Sequence, residues 1–94
     1  MSVAVRVPTI LRTYTGGESS VSVEVGENAT LADVVTALEA SYPGIKARVL
    51  DDTGAIRRFV NVYVNDDDVR FAQGLETPTP TGAKVSVIPA VAGG

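Results

Sequence analysis

The chain has 94 residues, with 8 Lys+Arg against 11 Asp+Glu and a formal charge of −3. That length holds one domain, and a hydrophobic fraction of 45% supplies a packed core and excludes intrinsic disorder. Cys and His are both absent, which excludes disulfides, thiol catalysis, zinc–thiolate sites and imidazole acid–base chemistry in this chain, and the acidic balance speaks against a nucleic-acid binder.

Val3, Val5 and Val7 alternate with Ala4 and Arg6, the period of a strand with one buried face. Gly16-Gly17 in a Thr-rich stretch reads as the loop of a hairpin. Val21, Val23 and Val25 alternate with Ser20, Ser22 and Glu24 and predict a second strand, antiparallel to the first. The period then changes. Leu31, Val34, Val35, Leu38 and Tyr42 form one stripe of a helix over 31–41. Thr30 is its N-cap, Asp33 supplies a capping-box acid, and Pro43-Gly44 stops it.

Ile45 to Leu50 predicts one further helical turn, and Asp51-Asp52-Thr53-Gly54 a tight turn. Arg58 to Asn65, β-branched and aromatic, is the strongest strand pattern. Asn65-Asp66-Asp67-Asp68 turns it, and Val69-Arg70-Phe71 is expected as a short edge strand. The Thr-Pro repeat of 77–82 reads as a loop. Lys84 to Ile88 is the last strand, with Val85 and Val87 on one face and Ser86 and Ile88 on the other. Pro89 cannot donate a ladder hydrogen bond and is expected to end the pairing. Tyr14, beside the glycine loop, has no partner that the sequence identifies.

A hairpin, one helix and further strands make an α+β domain. The simplest closure lays the last strand parallel to the first, with the helix in the crossover. That is a β-grasp (ubiquitin-like) fold, a mixed sheet of four to five strands packed on one helix. The expected division is a folded domain over 1–89 and a flexible tail over 90–94. The N-terminus carries no signal-peptide pattern, and no stretch has the apolar length to span a bilayer. Asn28-Ala29-Thr30 is then a chance match to a glycosylation sequon. The expectation is a soluble, cytoplasmic protein, monomeric when free, with no nucleic-acid or membrane partner.

The last residues, Pro89-Ala90-Val91-Ala92-Gly93-Gly94, are the most unusual feature. Ala90, Val91 and Ala92 carry no charge and little bulk. Gly93 and Gly94 lack Cβ, so a partner's backbone can approach closely. Five extended residues reach about 17 Å, enough to thread a narrow tunnel in another protein. The payload is the Gly94 α-carboxylate, ionised at neutral pH with a pKa of about 3.5 and a poor electrophile. It must gain a leaving group, for example by adenylation, before it can accept a nucleophile. The chain lacks a Gly-x-x-x-x-Gly-Lys phosphate loop, so the ATP chemistry belongs to a partner and this protein is the substrate. An adenylated Gly94 can accept sulfur and become a thiocarboxylate. The bland alternative is a frayed, inert end.

With these residues in hand, the sequence resembles the prokaryotic ubiquitin-like sulfur-carrier proteins, the ThiS/MoaD group. Within that group it resembles most the actinobacterial cysteine-pathway branch. The likeness is carried by Val7-Pro8-Thr9-Ile10-Leu11-Arg12, by Arg58 through Asp66, and by Ile88-Pro89-Ala90-Val91-Ala92-Gly93-Gly94, and it spans essentially the whole chain. The resemblance implies a non-enzymatic carrier with no bound cofactor and no metal. Its terminal glycine, here Gly94, is adenylated by an E1-like enzyme that uses MgATP, and a sulfur donor makes the thiocarboxylate. It also implies a sulfur-consuming synthase. That is a pyridoxal-phosphate cysteine synthase using O-phosphoserine, with a metalloprotease releasing the cysteine, or a thiazole-synthase-like enzyme making a thio-sugar. The runner-up is a ubiquitin-like modifier that forms isopeptides with lysines, and the third reading is an interaction domain with an inert tail.

The family places apolar residues on the face that meets the activating enzyme. Ile88 and Pro8, both on outward strand positions, and Val69 are the corresponding candidates here, and Pro89 through Gly93 would thread the partner. Asp66-Asp67-Asp68 lacks the Gly and later Glu of a calcium loop and reads as an acidic turn. Arg57-Arg58 is too short for a nucleic-acid patch, and Phe59 and Tyr63 are expected to pack.

Overall fold

Alternating valines build the sheet. In β1 (Ser2–Arg6) and β2 (Ser20–Glu24), Val3, Val5, Val21 and Val23 are buried, and the residues between them face outward. The two strands pair antiparallel with Val3 opposite Val23. The computed structural model describes residues 2–58, 60–80 and 82–89. The connection between β1 and β2 is longer than a hairpin turn, because a 3-10 helix at Thr9–Tyr14 precedes the glycines. Gly16 and Gly17 then close it at positive φ. The buried Thr15 hydroxyl donates to the carbonyl of Glu18 at 2.8 Å.

Helix α1 (Leu31–Ser41) buries Leu31, Val34, Val35 and Leu38, the stripe expected from their spacing. The Thr30 amide donates to Asp33 Oδ2 at 2.9 Å, the acid half of a capping box. The Leu31 amide, an orphan of the first turn, donates to the Thr77 carbonyl at 2.9 Å. Thr79 adds its own amide (2.9 Å) and hydroxyl (3.1 Å), both donated to the Ala29 carbonyl. The Thr-Pro loop is therefore fastened to the helix start, and Thr77 and Thr79 are buried.

The end of α1 is held by Glu39. Its carboxylate accepts from the amide of Gly44 at 3.0 Å and from that of Lys46, the first residue of α2 (Lys46–Val49), at 3.0 Å. These donors, Gly44 first, hold the Glu39 carboxyl below its ordinary value of 4.5. Gly44 sits at φ +100°, and a Cβ there would lie 2.9 Å from Tyr14 Cε1. The Tyr14 oxygen accepts from Arg48 Nε at 2.7 Å, the partner that its sequence context did not reveal. At Asp51 the carboxylate accepts from the Thr53 hydroxyl (2.6 Å) and amide (2.9 Å), which makes 51–54 the expected turn.

β3 (Val60–Val64) and β5 (Lys84–Pro89) complete the centre of the sheet. β5 pairs parallel with β1 (Val5 opposite Val85) and antiparallel with β3 (Val62 opposite Val87). With β4 (Asp67–Asp68) at the edge, the order is β2-β1-β5-β3-β4, a five-stranded β-grasp sheet with α1 on its valine face. The edge strand differs from expectation. β4 is the two residues Asp67–Asp68, and Val69–Phe71 forms a 3-10 turn instead of a strand. Asn65 makes the turn into β4 at φ +58°, and Asp68 accepts from the Arg70 amide at 2.9 Å, which starts the 3-10 turn at once. A further 3-10 turn at Gly74–Glu76 lies where the sequence showed no element.

Two outcomes test these contacts. Gly44→Ala must distort a left-handed backbone and push against the Tyr14 ring, so chemical denaturation should show a loss of about 1–3 kcal/mol. The Glu39 carboxyl is depressed on folding, so its contribution is present above the ordinary value near 4.5 and disappears as pH falls through the folded value. The acid limb of the stability–pH curve should therefore be shallower in Glu39→Gln than in wild type.

Candidate functional site

β5 is the strand that leads toward residues 90–94. Both its neighbours hold it up to Ser86, where the pairing with β1 ends at Arg6. Val7 then turns its amide to the Ser19 carbonyl at 2.8 Å, and Pro8 leads into the 3-10 helix. Beyond Ser86, β5 continues against β3 alone, with Ile88 opposite Asn61 and Pro89 opposite Val60.

Pairing therefore extends through Pro89, one residue past the expected end, for a geometric reason. The Asn65 amide donates to the Lys84 carbonyl at 2.7 Å, which makes that a hydrogen-bonded pair. Antiparallel alternation makes Asn61–Ile88 another and Val60–Pro89 a non-hydrogen-bonded pair. A proline at that position forfeits no bond to β3. Val60 accordingly donates its amide to the Arg57 carbonyl at 3.0 Å.

Ile88 lies on the sheet face opposite α1 and is 46% exposed, as its parity predicts. It shares a groove of about 580 Å³ with the start of the 3-10 helix, bounded by Pro8, Ile10 and Arg12 on one side and Ser86, Ile88 and Pro89 on the other. Pro8 and Pro89 are half-buried there. Ile10, which the sequence reading passed over, is 65% exposed. The signal was the Ile10-Leu11 pair: a short turn can bury only one of two adjacent large side chains, and Leu11 is the buried one.

Val69 does not belong to this surface. It is 0% exposed, part of the core, because the 3-10 turn replaces strand alternation and carries its side chain inward. The exposed apolar residue of that turn is Phe71, at 91%, and it does not line the groove. Tyr63 packs half-buried on the open face. Phe59, expected to pack, lies outside the described residues, as do Ala90, Val91, Ala92, Gly93 and Gly94, on which the threading and thiocarboxylate expectations fall.

The groove is apolar and cationic. Arg6 and Arg12 line it, and Arg12 is fixed by donating Nε–H to the Val7 carbonyl at 3.2 Å. Guanidinium groups cannot act as general bases near neutral pH, and magnesium asks for carboxylate oxygens, so the groove fits neither acid–base work nor a metal–nucleotide site. Among the described residues no set of three His, Cys, Asp or Glu side chains could hold a metal ion. A second groove, of about 460 Å³, contains Glu39 and Asp51, but backbone amides and Thr53 already engage both carboxylates. No helix among the described residues is long and apolar enough to cross a membrane. What the open face offers is an exposed apolar groove beside the end of β5.

Residues 5–94 match the ThiS family. The chain is 51% identical over a 96-residue alignment to the sulfur carrier protein CysO of Mycobacterium tuberculosis, covering 100% of both chains. A chain in the crystal structure of the Amycolatopsis orientalis BexX/CysO complex superposes with a TM-score of 0.89 at 48% identity, covering 98% of this chain and 99% of that one. Small archaeal modifier protein 3 of Haloferax volcanii is 40% identical over 78 residues, 83% of this chain and 84% of that protein. The chain thus belongs to the ThiS family as a homologue of the CysO sulfur carriers, a carrier protein and not an enzyme.

Proposed function

We propose that the Gly94 carboxylate is the cargo site, activated by an E1-like partner using MgATP and converted to a thiocarboxylate for a biosynthetic synthase. The observation that carries this reading is that the ThiS family match runs through residue 94, on a fold whose central strand leads directly into those residues. In the first step a Gly94 carboxylate oxygen attacks the α-phosphorus of ATP, and pyrophosphate leaves. A hydrosulfide equivalent then attacks the acyl carbon, the C–O bond breaks, AMP departs and a proton is released. This chain supplies the acid and its presentation, and the partner supplies nucleotide, metal and sulfur.

The apolar groove supports docking of the activating enzyme beside the tail. Ile88 and Ile10 offer exposed apolar surface, and Arg6 and Arg12 border it with positive charge. Such a rim steers a partner whose facing surface carries carboxylates. Residues 89–93 would thread the partner's channel, since none of them is charged and the last is Gly. The sulfur acceptor is a cysteine synthase or another sulfur-incorporating synthase. The solved BexX/CysO complex supports a carrier of this kind docking on a protein partner. The site of action would be the cytoplasm, where ATP-dependent activation and reduced sulfur are both available. A second reading, isopeptide transfer to lysine, draws support from the archaeal modifier relative and uses the same adenylate.

Incubation with a CysO-type activating enzyme, MgATP and sulfide should give an intact mass corresponding to one oxygen replaced by sulfur. An unchanged mass would count against the carrier reading, and thiol-resistant adducts on lysines would favour the modifier. Deleting Gly94 should abolish the shift while leaving the melting temperature unchanged. Ile88→Glu should raise KM for the carrier about tenfold, or about 1.4 kcal/mol of docking energy, with little effect on melting because Ile88 lies outside the core.

A further inference from the structure

The end of β5 is held by a short ladder. β1 stops at Arg6, so Ile88 and Pro89 are paired with Asn61 and Val60 alone. The start of β3 is itself open on its other side, because β4 reaches only Tyr63 and Val64. An unpaired strand start would leave its carbonyls to solvent and allow fraying. Among the described residues, one side chain occupies that place. Arg70 Nη2 donates to the carbonyls of Val60 (2.7 Å) and Arg57 (2.9 Å), and Nη1 donates to Asn61 Oδ1 (2.6 Å). Val69 beside it is core, and the Arg70 amide is tied to Asp68, so the guanidinium is aimed from a fixed base.

We infer that Arg70 is a positioning residue for activation: its guanidinium stands in for the missing strand beside β3, fixing Val60 and Asn61 and through them the direction in which β5 leaves the sheet at Pro89. This deepens the carrier reading and rests on it. Three acceptors in one fork suit the planar guanidinium and not an ammonium, so Lys cannot reproduce the clamp. Arg70 is exposed, so its removal takes nothing from the valine core.

The test pairs local exchange with kinetics, in wild type, Arg70→Ala and Arg70→Lys. Amide hydrogen exchange at Ile88, measured against Ser86 in the same ladder, should rise about tenfold in both variants. In the adenylation assay KM for the carrier should rise about tenfold in both, with kcat within about twofold of wild type, as expected when a uniform docking contribution is lost. Unchanged Ile88 exchange in Arg70→Ala overturns the clamp. Full recovery of KM by Lys overturns positioning and assigns Arg70 a simple charge contact with the partner. A wild-type chain that is never adenylated overturns the carrier reading and the positioning role with it, and Ile88 exchange still decides the clamp independently.

Discussion

The parallel pairing of β1 with β5 is the constraint from which the rest of the molecule follows. It joins the two ends of the chain in the middle of the sheet, with Val5 beside Val85. A parallel pair cannot be closed by a tight turn and needs a long crossover. Helix α1 lies in that crossover and covers the valine face. The consequence for function is positional. The strand that leads toward residues 90–94 is a central one, between β1 and β3, and not an edge strand.

That arrangement divides labour between the two faces. On the covered face, Val3, Val5, Val62, Val85, Leu31 and Leu38 are almost wholly buried, and nothing chemical is placed there. On the open face, the early departure of β1 uncovers Ile88 and makes room for the 3-10 helix that brings Pro8 and Ile10 alongside. The same departure leaves Val87, Ile88 and Pro89 with one neighbouring strand. Where the sheet has run out, side-chain hydrogen bonds from Arg70 engage the start of β3.

Much of this was legible in the sequence because it depends on period. Alternating valines gave the strands and their inward faces, and the Leu31-to-Tyr42 stripe gave the helix. The parity of Ile88 placed it outward. What failed was local and short. Val69 could not be placed by strand parity, because Asn65 at positive φ and the Asp68–Arg70 hydrogen bond end β4 after two residues. Pro89 reads as a strand terminator until the ladder phase is known, and that phase is set by the bond from Asn65, far from Pro89 in sequence, to Lys84. Ile10, Tyr14 and Arg70 act through partners 34 residues away in the case of Tyr14 and Arg48, or through a groove with a distant strand. No local pattern encodes such pairings. The family resemblance came from 7–12, 58–66 and 88–94, and the fold sets Ile88 and Pro89 between β3 and the groove that Pro8 lines.

The central claim is that the acid of Gly94 is handed to a partner and leaves one of its oxygens behind. The direct measurement is to prepare the chain with heavy oxygen in that carboxylate, run one turnover with activating enzyme, MgATP and sulfide, and analyse the nucleotide product by mass. If the carboxylate attacks ATP and sulfur then displaces the nucleotide, the label appears in AMP. Unlabelled AMP, or no AMP at all, would contradict the account.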